Sequence, residues 1–230
     1  MTAFPDDWFR ADVFWRSENS HGWVAERIRS KLSLGTVDFA AEAERLTEVD
    51  FGPEDRYQGD DEEAYAERQM RAQCIEDCRM RLEQTETYLW GLGIAGIYHQ
   101  FERDVREVVA AFKRPQPPKL STAKFEKLCC YLVQLGYQIK QSAGFDHLDT
   151  ARLIANAIKH GNGPSFSELA TKRPDLFPEH PAYVLGRKPG TRPRMDVLRV
   201  GVVEFDQAVA AISMISPEIE KAIRPAAIRR

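Results

Sequence analysis

The segment ARLIANAIKHGNG, residues 151–163, gathers several side chains that could do chemistry into a short stretch of chain. Wound as an α-helix, at about 100° per residue, it places Arg152, Asn156 and Lys159 within roughly 60° of one another. His160 lies about 40° further round. The apolar residues fall on the opposite side: Leu153, Ile154, Ala157 and Ile158. The spacing therefore predicts a helix with one apolar face and one cationic face.

The cationic face has the groups that metal-free RNA cleavage needs. A histidine with a pKa near its ordinary value of about 6.5 can accept or donate a proton at neutral pH. Arg152 or Lys159 can bind a phosphate and stabilise its developing charge, and Asn156 can orient the imidazole or hold a substrate hydroxyl. The alternative is a solvated helix face, on which Lys159 and His160 complement the helix dipole.

The run ANAIKHG resembles the R-N-x-x-x-H segment of the HEPN superfamily, whose members are helical bundles and include many RNases of toxin–antitoxin and antiviral systems. Asn156 and His160 match that segment by position. Ala155 stands where the family has its catalytic arginine, so Arg152 or Lys159 would have to supply the missing cation.

The helix GIAGIYHQFERDVREVV also resembles a helix of this family, and the similarity covers roughly residues 60–215. In that resemblance Glu102 is the polar residue that faces the motif helix. The resemblance implies a homodimer with a composite site, an RNA substrate, no metal or cofactor, and an antitoxin or defence-system protein as partner. A non-catalytic relative that binds RNA or a protein is the alternative to which Ala155 points.

Two alternatives stay open for these residues. Glu102 could simply pair with Arg106 at four-residue spacing, beside His99. The run LIANAIKHG is also similar to the asparagine box of histidine-kinase-type ATPases. Those domains need an Asp-x-Gly-x-Gly segment downstream, which the sequence does not contain.

The segment GRKPGTRPR, residues 186–194, is a second candidate for binding nucleic acid. It places four basic residues in one Gly/Pro-rich loop without acids: Arg187, Lys188, Arg192 and Arg194. Such a loop can bind a phosphate backbone through charge, but it has no aromatic residues on which bases could stack. A solvated loop is the alternative.

Composition favours an ordinary globular protein, since 43% of the 230 residues are hydrophobic and 29% are charged. The net charge of −3 gives no overall attraction to nucleic acid, so an anion site needs a local patch. No apolar run reaches membrane-spanning length, and an acidic N-terminus is atypical of a signal peptide, so we expect a cytoplasmic protein. The cysteines lack a paired metal-binding spacing and are expected to be small buried hydrophobic residues: Cys74, Cys78, Cys129 and Cys130. Cys74 and Cys78 lie one helical turn apart and could join a metal site if histidines lay near them.

The pattern predicts a mainly α fold in three parts: an N-terminal helical extension (1–59), a helical bundle (60–216) and a C-terminal tail (217–230). The extension should contain a helix over VDFAAEAERLTEV, residues 37–49. The proline-free run from Asp60 to Lys113 predicts two helical segments or a kink near its glycines, or else close helix crossing there: Gly91, Gly93 and Gly96.

Helix ends and one β element follow from the remaining pattern. Ser121 or Thr122 is positioned to cap the next helix. The last helix should run from about Val203 to Ile215 and end at Pro217. Strand-like residues on both sides of a Gly/Pro turn suggest a small β-hairpin near 183–201.

Overall fold

A computed structural model of the chain describes residues 25–30, 38–52, 62–113, 116–161, 163–177 and 198–228. These residues form helices joined by short turns and contain no strand, which confirms the predicted mainly α fold. The helices of eight or more residues are α1 (Phe39–Phe51), α2 (Glu62–Phe112), α3 (Phe125–Gln134), α4 (Phe145–His160), α5 (Pro164–Lys172) and α6 (Val202–Ile228).

Helix α1 lies along α2 and corresponds to the helix predicted over residues 37–49. The Asp38 carboxylate caps it by accepting hydrogen bonds from the backbone N–H groups of Ala40 and Ala41, at 3.0 and 3.2 Å. Arg71 of α2 is buried and donates to the carbonyl of Gly52 at 2.5 Å. This bond satisfies a carbonyl at the C-terminal end of α1 and ties it to α2.

Helix α2 runs for 51 residues without interruption, so the predicted division into two segments is wrong. Close helix crossing explains two of its glycines. A Cβ at Gly91 would lie 2.6 Å from Cδ1 of Ile158, and one at Gly93 would lie 3.3 Å from the Phe205 ring. A Cβ at Gly96 would meet no atom of the described residues within 4 Å. The packing of α4 and α6 against the glycines offsets their low helix propensity.

Helix α4 lies at the centre of the bundle and packs against α2, α5 and α6. Three residues of its predicted apolar side, Leu153, Ile154 and Ala157, have no exposed surface, and the fourth, Ile158, is half-buried against the core. The facing part of α2 buries a stripe at helical spacing, namely Ile97, Phe101, Val105 and Val108. This packing fixes the rotation of α4 about its own axis and therefore the direction of its polar face.

Helix α3 begins later than predicted. Ser121 and Thr122 belong to a separate 3₁₀ turn, Leu120–Thr122, and the N-cap residue of α3 is Lys124. Lys124 makes no side-chain capping bond. The prediction of a Ser or Thr cap is therefore wrong, because the chain turns once more before α3 starts.

Helix α6 continues through Pro217 as far as Ile228, so the predicted end at Pro217 is wrong. An internal proline costs a helix about 3 kcal/mol. Ile219 and Ile223 are buried beyond it, and burial of such a side chain contributes about 1.5–3 kcal/mol. The Tyr137 hydroxyl also donates to Glu218 at 2.7 Å. Tertiary packing thus outweighs the tendency of proline to end a helix. The boundary predicted between the helical bundle and the C-terminal tail, after residue 216, therefore falls inside α6.

The predicted β-hairpin lies mostly outside the described residues, which resume at Leu198. Residues 198–200 have no regular secondary structure, although the Arg199 N–H donates to the Leu176 carbonyl at 2.8 Å. Across the described ranges, no helix combines the length and apolar character needed to cross a bilayer.

The two glycines Gly91 and Gly96 provide a matched test of this packing. Gly96→Ala should stabilise the protein by about 1 kcal/mol, because alanine is the better helix former and the position is open. Gly91→Ala gains the same propensity but pushes its Cβ into Ile158, so its free energy of unfolding should lie about 1–3 kcal/mol below that of Gly96→Ala. Urea denaturation measures both, and equal values would contradict the close crossing of α2 and α4.

Candidate functional site

The polar face of α4 divides into an exposed end and an enclosed part. Lys159 and His160 are exposed at the C-terminus of the helix, and Asn156 is half-buried one turn before His160. Gly161, with a φ of 62°, ends the helix and donates its N–H to the Ala157 carbonyl at 2.8 Å. A left-handed glycine is the usual way to stop a helix at this point. The local sequence therefore presents Lys159 and His160 to solvent.

Arg152 lies in the enclosed part and is surrounded by carboxylates. Its Nε donates to Asp149 at 2.7 Å, and one terminal nitrogen lies 3.4 Å from Glu168 of α5. The other terminal nitrogen is 3.8 Å from Glu126 of α3. The Arg152 side chain is only 13% exposed. Its charge is thus balanced within the protein, by residues of three helices.

Lys172 completes this cluster from α5. Its ammonium group contacts the second oxygen of Asp149 at 2.8 Å and an oxygen of Asp146 at 3.5 Å. Burial alone would raise the pKa of Asp149, but the hydrogen bonds and charges of Lys172 and Arg152 outweigh it and hold that pKa below its usual range. The Asp149 carboxylate therefore links α4 to α5 in its ionised form.

Glu102 is engaged on its own helix. An oxygen of its carboxylate lies 3.1 Å from Arg106, which confirms the alternative of an internal ion pair, and the other lies 3.6 Å from His99. Arg106 also donates to the Ala123 carbonyl at 3.0 Å. Within the described ranges, no hydrogen bond or ion pair joins Glu102 to His160. The structure therefore brings Lys159 and His160 together and holds Glu102 and Arg152 in separate ion pairs.

Tyr98 is a buried polar residue that the sequence patterns do not single out. Its hydroxyl has no hydrogen-bond partner among the described residues. Burial raises the pKa of Tyr98, the nearby Glu102 charge raises it further, and Arg152 opposes the shift. Its ring packs edge-on against Phe125, with 5.9 Å between centroids. Only its place one turn before Glu102 in an aromatic-rich helix could have drawn attention to it.

A cleft lined by lysines is a second feature that the sequence patterns do not predict, and none of the candidate binding residues lines it. It has a volume of about 520 Å³ and lies between the turn at 118–124 and the first turns of α3. Its basic residues are Lys119, Lys124 and Lys127. A local charge count could have found it, because residues 113–140 contain six basic residues and one acid.

The remaining predictions on binding residues concern a loop and metal ligands. Arg187, Lys188, Arg192 and Arg194 lie outside the described residues, so their role stays a prediction. Among the residues that the structure describes, no three His, Cys, Asp or Glu side chains are grouped so that they could hold a metal ion.

Comparison with known proteins identifies no relative of this chain. No protein-family model matches the chain, and neither a curated protein nor a solved structure is similar to it. Function must therefore be argued from the chemistry of the residues and their arrangement.

Replacing Arg152 tests whether its main role is structural. Arg152→Ala should lower the free energy of unfolding by about 2–3 kcal/mol, since it leaves Asp149 with only Lys172 in a mostly buried position. Lys159→Ala, on the exposed part of the same face, is the matched control and should change stability by less than about 0.5 kcal/mol. Urea denaturation of the two variants gives both values. An Arg152→Ala protein as stable as the control would show that the carboxylates do not depend on this guanidinium.

The lowered pKa of Asp149 should make the free energy of unfolding depend on pH. A carboxyl group whose pKa is lower in the folded state stabilises the protein above its unfolded pKa, and this contribution is lost as pH falls through the folded value. The wild type should therefore exceed Asp149→Asn in unfolding free energy above about pH 5, and the difference should shrink below about pH 4. Asp146→Asn, at a position that is 87% exposed, should differ little from wild type at any pH. A difference for Asp149→Asn that does not change with pH would contradict the ion pairs.

Proposed function

We propose that the chain is a HEPN-like helical bundle that binds RNA without cleaving it. The proposal rests on the burial of Ala155 and the ion pairs of Arg152, because one of these two positions would have to supply a catalytic arginine. Ala155, at the position of the family's arginine, has no exposed surface. Arg152, the nearest replacement, is committed to carboxylates.

Cleavage of RNA needs a cation aimed at the charge that develops on the phosphorus oxygens. Losing such a group typically lowers the rate by orders of magnitude. An arginine at position 155 would have to enter a close-packed core, so the backbone position that the family uses is closed here. Lys159 is the cation that remains exposed beside His160, and an ammonium lacks the two-pronged geometry of a guanidinium. The site therefore favours binding over catalysis.

RNA is the partner that the exposed groups favour. Lys159 and His160 present a cation and a hydrogen-bonding imidazole side by side at the end of α4. The chain as a whole carries a net charge of −3, so such contacts must act locally. Phosphate contacts of this kind bind without reading sequence, and their affinity falls as salt rises.

An endoribonuclease is the second candidate, and the exposure of His160 and Lys159 favours it. His160 would be the general base or acid, with Asn156 orienting it. Two protomers would bring their α4 faces together in a homodimer, so that a cation from each subunit reaches one phosphate. In that reading the protein acts in a toxin–antitoxin or antiviral setting, with an antitoxin or defence-system protein as its partner.

Incubation of the purified protein with mixed RNA separates the two candidates. We expect the RNA to be retained in a mobility-shift assay at 50 mM salt, with its length unchanged, because Arg152, the motif helix's own guanidinium, is paired with carboxylates. His160→Ala is the matched variant, and it should also leave the RNA intact. Sedimentation at micromolar concentration gives the oligomeric state of the same samples.

Cleavage by the wild type that disappears in His160→Ala would overturn the non-catalytic proposal and establish the second candidate. A strict monomer would remove the composite site that the second candidate requires. RNA that is neither bound nor cleaved at 50 mM salt would exclude both.

A further inference from the structure

Residues 113–140 form a basic segment in a chain of negative net charge. Residues 113–140 contain six basic residues and a single acid, a net charge of +5, whereas the whole chain carries −3. Three of these basic residues line the 520 Å³ cleft at the start of α3: Lys119, Lys124 and Lys127. The cleft is large enough for a small ligand or for a few groups of a longer one.

The three cleft lysines are exposed, and they have no carboxylate partner among the described residues. No Asp or Glu oxygen of the described residues lies within ion-pair distance of their ammonium groups, whereas Arg152 and Lys172 are both paired. The Lys127 ammonium instead lies 5.3 Å from the centre of the Tyr131 ring. The ring attracts this cation without neutralising its charge as a carboxylate would.

Glu126 is the one acid among the described residues that line the cleft, and its side chain is 65% exposed. One of its oxygens lies 3.8 Å from Arg152, which partly balances its charge. The backbone N–H groups at the start of α3 add partial positive charge, since no side chain among the described residues caps that helix. With three lysines and one glutamate, the lining of the cleft carries a net charge of +2.

We propose that this cleft binds a phosphate group, supplied either by the backbone of single-stranded RNA or by a free nucleotide. Lysine ammonium groups bind phosphate as point charges and accept many geometries. Tyr131 is largely buried and its ring faces lysines, so it offers bases no stacking surface, and recognition should not depend on base sequence. The RNA form of this proposal rests on the function proposed above and adds a second, stronger contact surface to the α4 face.

The thiol of Cys130 can report whether a ligand occupies the cleft. Cys130 lines it and is exposed, whereas the adjacent Cys129 is buried and burial raises its pKa to about 11. Alkylation followed by mass spectrometry can therefore follow Cys130 as a separate site. A ligand in the cleft should slow the modification of Cys130, and a ligand bound only at Lys159 and His160 should not.

The experiment compares two charge-matched double variants of the full chain. Lys124→Gln with Lys127→Gln removes two cleft charges, and Lys140→Gln with Lys221→Gln removes two exposed charges elsewhere. Affinity for a labelled twelve-nucleotide single-stranded RNA is measured by fluorescence anisotropy between 50 and 200 mM salt. Adenosine monophosphate and inorganic phosphate are tested in parallel by protection of Cys130, and melting temperatures confirm that both variants are folded.

We expect RNA to protect Cys130 in the wild type and the cleft variant to bind RNA about 10–30 times more weakly at 0.1 M salt. The slope of log affinity against log salt should fall in magnitude by about 1.4, the value for two lost phosphate contacts on a single strand. The control variant should behave like wild type. Protection of Cys130 by the nucleotide without any RNA binding would support the cleft and contradict the RNA function.

Two other outcomes would contradict the proposal that this cleft binds phosphate. RNA that binds both variants equally and leaves Cys130 unprotected would reject this site while leaving the RNA-binding function in place. No protection by RNA, nucleotide or phosphate, with no RNA binding, would reject both.

Discussion

The guanidinium of Arg152 lies where α3, α4 and α5 meet, and the arrangement of the site follows from how its charge is balanced. A mostly buried cation must be paired, and its partners must themselves be satisfied. Asp149 meets this requirement from the same helix, with Lys172 of α5 on its other oxygen. The ion pairs hold α5 against α4 and, with the buried apolar side of α4, fix where the polar face points. They also remove Arg152 from the groups that are free to meet a ligand.

This pairing divides one helix face into two parts with different roles. Lys159 and His160 are exposed at the end of α4, while Arg152 and Asp149 act in the packing of helices. Glu126 connects the enclosed part of the α4 face to the lysine cleft, since it lies 3.8 Å from Arg152 and also lines the cleft. In our proposal the molecule binds RNA through the exposed end and the cleft, and it lacks catalysis because Arg152, the nearest replacement for the motif arginine, is paired with carboxylates.

The local parts of this structure could be predicted from the sequence, and the parts that depend on distant residues could not. The apolar side of α4, the helix of the extension and the Glu102–Arg106 pair all follow from helical spacing. Glu126, Glu168 and Lys172 lie on other helices, so spacing within α4 gives no sign that they surround Arg152. Pro217 and the glycines of α2 show the same limit, because packing against other helices outweighs a local preference there. The lysine cleft needed a charge count along the segment, since its residues share no motif.

The division of the α4 face into an exposed end and an enclosed part requires that Arg152 and Asp149 be energetically coupled. A double-mutant cycle with Arg152→Ala, Asp149→Ala and the double variant measures that coupling in the free energy of unfolding. We predict a coupling of at least about 1.5 kcal/mol, because the pair is short, charged and mostly removed from water. A coupling near zero would contradict the account and return Arg152 to the groups that are free to bind a phosphate.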